Sequence, residues 1–198
     1  MNPASTADWP SRLRAFKALA ALMGAMIALH ILNALVLGHG WDRYGIRPAG
    51  LDGLWPGMVT APFLHVSNVH LVNNLIVLAV LGGMAALVVG NARFLAATAF
   101  IVLAGGAFTW LIARGGSHIG ASGLVFGYFG FLVGQGLFRQ SLASLVVAAV
   151  VTFFYGANIF FGIVFPKGCT SWEGHLAGAL AGLAYARLEA SFQRRLRP

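Results

Sequence analysis

Ser122 stands in Gly120-Ala121-Ser122-Gly123-Leu124-Val125-Phe126-Gly127, at the head of a long apolar run. A serine hydroxyl attacks a carbonyl carbon only when a base removes its proton and donors surround the oxygen that becomes charged. Imidazole is suited to take that proton near neutral pH. His175, in Trp172-Glu173-Gly174-His175-Leu176-Ala177-Gly178, is the candidate base. His70 and Asn74, spaced i to i+4, face one way on a helix and offer two donors for an oxyanion. The free backbone amides at the start of span four would add a donor beside Ser122. Each residue also has a plainer reading. Gly, Ala and Ser are ordinary packing residues of transmembrane helices, and His or Asn can simply hydrogen-bond between helices.

The elements that must position these groups follow from composition. The 198 residues are 59% hydrophobic and 9% charged, against about 25% charged in soluble domains. Such a chain cannot cover a soluble surface, so it is expected to be an all-α, polytopic membrane protein. The net charge of +8 is spread between apolar runs and at both ends, which fits the flanks of membrane spans and excludes a nucleic-acid face. A single cysteine, Cys169, rules out an intrachain disulfide and a cysteine-based metal site, and no HExxH pattern marks a histidine site.

A bilayer core needs roughly 20 apolar residues per helix. That length predicts six spans, at 18–37, 69–89, 94–113, 122–138, 142–164 and 173–190. The first retains a basic flank and shows no small-x-small cleavage site before Gly38-His39-Gly40, so it reads as a span rather than a signal peptide. The expected organisation is a cytoplasmic segment 1–17, a transmembrane domain 18–190 and a basic cytoplasmic tail 191–198. With both ends inside, Arg12, Arg14, Lys17, Arg93, Arg139, Arg187, Arg194, Arg195 and Arg197 lie on the cytoplasmic side. They outnumber the external Arg43, Arg47, Arg114 and Lys167, as the positive-inside rule requires. Spans two, four and six then run in one direction, which puts His70, Asn74, Ser122 and His175 at similar depth near the outer face.

Close approach is also written in the sequence. Gly178, Ala179 and Gly182 share the face of His175, and Gly123, Gly127, Gly130 and Gly134 offer a matching surface on span four. Glu173, two residues before His175, would point away from it, so a Ser122–His175 dyad is expected rather than a triad. Phe126, four residues after Ser122, is placed to pack against the imidazole. The hydrolase elbow G-x-S-x-G is absent, because Leu124 stands where its second glycine belongs.

Three motifs in this order resemble the rhomboid family of intramembrane serine proteases. They are His65-x-x-x-x-His70-x-x-x-Asn74, Gly120-x-Ser122-Gly123 and Gly174-His175-x-x-Gly178-x-x-x-Gly182. The resemblance implies a six-helix bundle with Ser122 as nucleophile and His175 as base. It also implies oxyanion stabilisation by His70, Asn74 and the Ser122 amide, with no metal or organic cofactor. The implied partners are transmembrane protein substrates, cleaved near their outer end and reached through an opening beside span five. Trp55-Pro56 departs from the Trp-Arg common in the family, and Phe126 replaces a frequent tyrosine. His65 is expected to be structural, and His30, His39 and His118 to pack in loops or between helices. The rival readings are a non-proteolytic rhomboid-like protein that binds membrane clients and a small transporter or channel. A transporter would place its polar residues at midplane rather than towards one end.

Overall fold

Six long helices account for most of the chain in the computed structural model, which describes residues 8–48, 50–139, 141–166 and 170–195. They are α1 (Trp9–Leu35), α2 (Asn68–Val89), α3 (Asn91–Ile112), α4 (Ser122–Arg139), α5 (Leu142–Val164) and α6 (Trp172–Arg195). Several ends follow from local chemistry. The Asp8 carboxylate accepts from the Ser11 amide at 2.8 Å, with Pro10 in the first turn, so α1 begins well before the expected residue 18. Ser67, Ser141 and Ser171 cap α2, α5 and α6 by accepting from the amides of His70, Ser144 and Gly174. Gly90, at φ 73°, separates α2 from α3 with a backbone that other residues rarely adopt. Within α3, Ile101–Gly105 is wound as a π-helix.

The expected spans differ in character. Among the described residues, α1, α2, α3 and α5 are long and apolar enough to cross a membrane by length and composition. The chain is an integral membrane protein. By the same measure α4 and α6 do not qualify. The physical reason is position: α4 is enclosed by its neighbours, with Phe126, Tyr128, Phe131 and Gln135 buried, and needs no continuous lipid-facing surface. The polar termini of α6 include the buried Glu173 and the half of a clamp described next. By contrast α5 turns Phe153, Phe154, Phe160 and Phe161 outward, as a lipid-facing helix does.

The glycine faces read from the sequence meet. A Cβ added at Gly178 would collide with the carbonyl of Gly123, one at Gly182 with the carbonyl of Gly127, and one at Gly130 with that of Ala179. Helices α4 and α6 are therefore in backbone contact along a seam, which any side chain there would open.

Two carboxylate side chains are enclosed at the ends of α6. Glu189 receives Arg93 from α3, Gln135 from α4 at 2.7 Å and Gln193 at 3.1 Å, closing one end of the bundle. Glu173 is 3% exposed and accepts from Arg114 Nε at 3.0 Å. Each charge is paired, so its desolvation is offset. Neither carboxylate bonds to His175.

The long connection between α1 and α2 folds into short helical turns. Trp110 Nε1 donates to Gly50 O at 2.9 Å and Arg47 N to Gly53 O at 3.0 Å, so this connection is fastened without an arginine at position 56. Cys169 and Lys167 lie outside the described residues.

Candidate active site

Ser122 is the first residue of α4 and partly buried. The backbone leading to it turns at Gly120, whose φ of 122° is open to glycine alone. Gly120 N donates to Ala61 O at 2.8 Å, and Ala121 N donates to His65 Nε2 at 3.2 Å. The loop is thus pinned at the two residues immediately before the serine.

His70 and Asn74 come from the first turns of α2. Both close on Gly120: a Cβ there would stand 2.9 Å from His70 Nε2 and 3.7 Å from Asn74 Nδ2. Asn74 is 7% exposed, and its Nδ2 is buried without a hydrogen-bond partner among the described residues. A buried, unpaired donor is costly unless something arrives to accept from it.

His175, in the first turn of α6, is 7% exposed and held from two directions. The Phe126 ring stacks on the imidazole with centroids 3.9 Å apart and planes 14° from parallel. Nδ1 lies 2.9 Å from the carbonyl oxygen of Gly162, on α5. A carbonyl can only accept, so Nδ1 carries the proton and Nε2 presents a lone pair. That carbonyl thus holds the ring in one tautomer and orientation. It comes so close because Gly162 has no side chain: a Cβ there would stand 2.8 Å from the Phe126 ring.

Ser122, His70 and His175 line one cavity of about 780 Å³, together with Arg114, His118, Ser171 and Glu173. Residues remote in sequence are therefore gathered as the topology required. Among the described residues no hydrogen bond joins Ser122 to His175.

Sequence reasoning missed the Gly162 carbonyl, and it gave His65 a structural role without its partner. The Gly162 carbonyl carried one signal, a glycine amid the bulky run Phe160-Phe161-Gly162. His65 is fully buried, and its acceptance from Ala121 requires an unprotonated Nε2. Burial, with His70 and His30 alongside, pushes its pKa from 6.5 down to about 4. Between those values the unfolded chain binds a proton that the folded chain does not. Stability from this residue is therefore complete above about pH 6.5 and lost progressively as pH falls towards 4, on the order of 1–3 kcal/mol. Thermal unfolding in detergent between pH 7 and pH 5 should show a falling midpoint. His65→Gln, which accepts without titrating, should give a shallower slope; an equal slope would contradict this role.

The Rhomboid domain family model matches residues 52–192. An uncharacterized protein of Mycobacterium tuberculosis is 44% identical over 182 residues, which cover 87% of this chain and 75% of that protein. An uncharacterized protein of Mycobacterium bovis matches to the same extent. One from Mycobacterium leprae is 41% identical over 168 residues, 80% of this chain and 65% of its own length.

Proposed function

Because the chain belongs to the rhomboid family, we propose that it is an intramembrane serine endopeptidase that cleaves transmembrane protein substrates near the outer face of the bilayer. The observation that carries this reading is the state of His175. Its Nδ1 is committed to Gly162 O and its ring to Phe126, which leaves Nε2 as a base beside the cavity shared with Ser122.

In the proposed mechanism Ser122 Oγ attacks the scissile carbonyl carbon while its proton passes to His175 Nε2. The carbonyl oxygen takes the negative charge and accepts from Asn74 Nδ2, His70 and the Ser122 amide, which has no partner inside its own helix. The carbon–nitrogen bond then breaks, and His175 returns the proton to the leaving amine. Water entering from the outer side gives its proton to His175 and attacks the acyl-enzyme. Release of the carboxylic acid restores Ser122. Every proton goes out and back through one imidazole, which serves as base and then as acid, so the scheme calls on no carboxylate, metal or organic cofactor.

The orientation that fits has residues 1–17 and 191–198 in the cytoplasm of a bacterial cell, with the cavity facing outward across the plasma membrane. Substrate would enter beside α5.

The test is hydrolysis of single-span membrane proteins by the purified chain in detergent or liposomes. Loss of one oxyanion donor costs about 10²–10³ in kcat, so Asn74→Ala should lower kcat by that factor and leave KM little changed. Undiminished kcat in Asn74→Ala would remove it from the oxyanion site.

A further inference from the structure

His118 lies in the loop between α3 and α4, and no step above uses it. Its Nε2 is 3.0 Å from the carbonyl oxygen of Arg114 and its Nδ1 is 2.6 Å from Ser171 Oγ. The carbonyl fixes the proton on Nε2, so Nδ1 accepts and the Ser171 hydroxyl donates. Ser171 Oγ in turn accepts from the amide of Gly174 at 3.1 Å. Every group in this chain has one defined role. It runs from the Arg114 carbonyl, through His118 and Ser171, to the residue next to His175.

From this geometry we propose that His118 and Ser171 are a positioning pair, which locks the loop that presents Ser122 to the start of the helix that presents His175. The proposal rests on the proteolytic reading of those two residues. His118 precedes Ser122 by four positions, and Ser171 precedes His175 by four. The bond therefore sets the separation of nucleophile and base from one flank, while the glycine seam sets it from the other. His118 is itself fixed: its backbone exchanges two hydrogen bonds with Ile46, at 2.8 and 3.0 Å. The Arg114–Glu173 pair makes a second tie between the same two segments, and the Arg114 guanidinium lies 5.6 Å from the Trp172 ring centre. That tie is solvent-exposed on the arginine side, whereas His118 and Ser171 are half-buried. Glu173 is buried in that pair, so the His118–Ser171 bond acts alongside this tie rather than in its place.

A small misplacement of reacting groups can cost about 10²-fold in rate. His118→Ala and Ser171→Ala should each lower kcat on a single-span substrate by about 10–100-fold; both side chains also line the cavity, so the loss in kcat should exceed any change in KM. The double variant should be no slower than either single one, since both remove the same bond. His118→Asn puts an amide oxygen where Nδ1 stood and should recover most of the rate, which a loss of fold would not permit. Ser122→Ala supplies the blank. Hydrogen exchange, which needs no activity, reads the same bond. Amides of residues 115–121 should exchange about tenfold faster or more in His118→Ala and Ser171→Ala, and near the wild-type rate in His118→Asn. Wild-type kcat in the single variants, additive losses in the double variant, or unchanged exchange would each overturn the pair. Were the wild-type chain to show no Ser122-dependent hydrolysis, the proteolytic reading would fail and exchange alone would decide the bond.

Discussion

Ser122→Ala protein should fold, resist heat as the wild type does, and cleave a transmembrane substrate at least about 10³-fold more slowly, at the background of the assay. The substitution removes the only atom proposed to bond covalently to substrate. It leaves the Phe126–His175 stack, the Gly162 bond and the cavity walls in place. Ser122 Oγ makes no hydrogen bond to the described residues, so its removal leaves no buried partner unsatisfied and little stability is at stake. His175→Asn offers a matched second variant. The asparagine amide can still donate to Gly162 O, yet it carries no base. Activity should fall as far as in Ser122→Ala, and the two substitutions together should cost no more than either alone, because each disables the same proton transfer. Rates and thermal midpoints measured on one preparation separate this outcome from unfolding.

Gly178→Val should be as damaging to function for a different reason, and it should also damage the fold. The added Cβ meets the Gly123 carbonyl, which is backbone and cannot rotate away. Helices α4 and α6 must separate, and the separation falls between Ser122 and His175. Overpacking costs about 1–3 kcal/mol even where flexible side chains absorb it, so a loss at or above that range is expected in unfolding experiments, together with loss of hydrolysis. Gly24→Ala is the control. Nothing lies within 4 Å of a Cβ at Gly24, and alanine is the better helix former, so that variant should match or exceed the wild type.

These two experiments bear on what the sequence could and could not reveal. The glycine seam was legible because small residues at helical spacing leave a periodic trace, and two such traces have to face each other to be useful. The convergence of His70, Asn74, Ser122 and His175 was legible because an even alternation of spans fixes which helix ends share a side. Length and hydropathy alone serve less well. Among the described residues, helices α4 and α6, which carry Ser122 and His175, are the two long helices that do not look like membrane spans by composition. Their glycines and polar residues are shielded by neighbours, so the hydrophobic pattern is weakest at the proposed site.

The missing pieces share a cause. Gly162 acts through its carbonyl, and every residue has one, so no side-chain code announces it. His65 and His118 bond to a backbone amide and to a serine that become neighbours only after folding. Glu189 lies near the end of α6, where an acid is ordinarily solvated. The structure buries it because Arg93, Gln135 and Gln193 converge there. The first helix starts at Trp9 because Asp8 caps it, a signal shorter than the window used to find spans.

The most direct measurement is labelling of the purified chain with a serine-directed fluorophosphonate, followed by mass spectrometry to locate the adduct. The account predicts a single adduct on Ser122, formed by the wild type and absent from both Ser122→Ala and His175→Asn, because the hydroxyl is nucleophilic only while Nε2 of His175 accepts its proton. Labelling of Ser122 at the wild-type rate in His175→Asn, or an adduct on another serine with Ser122 unmodified, would contradict it.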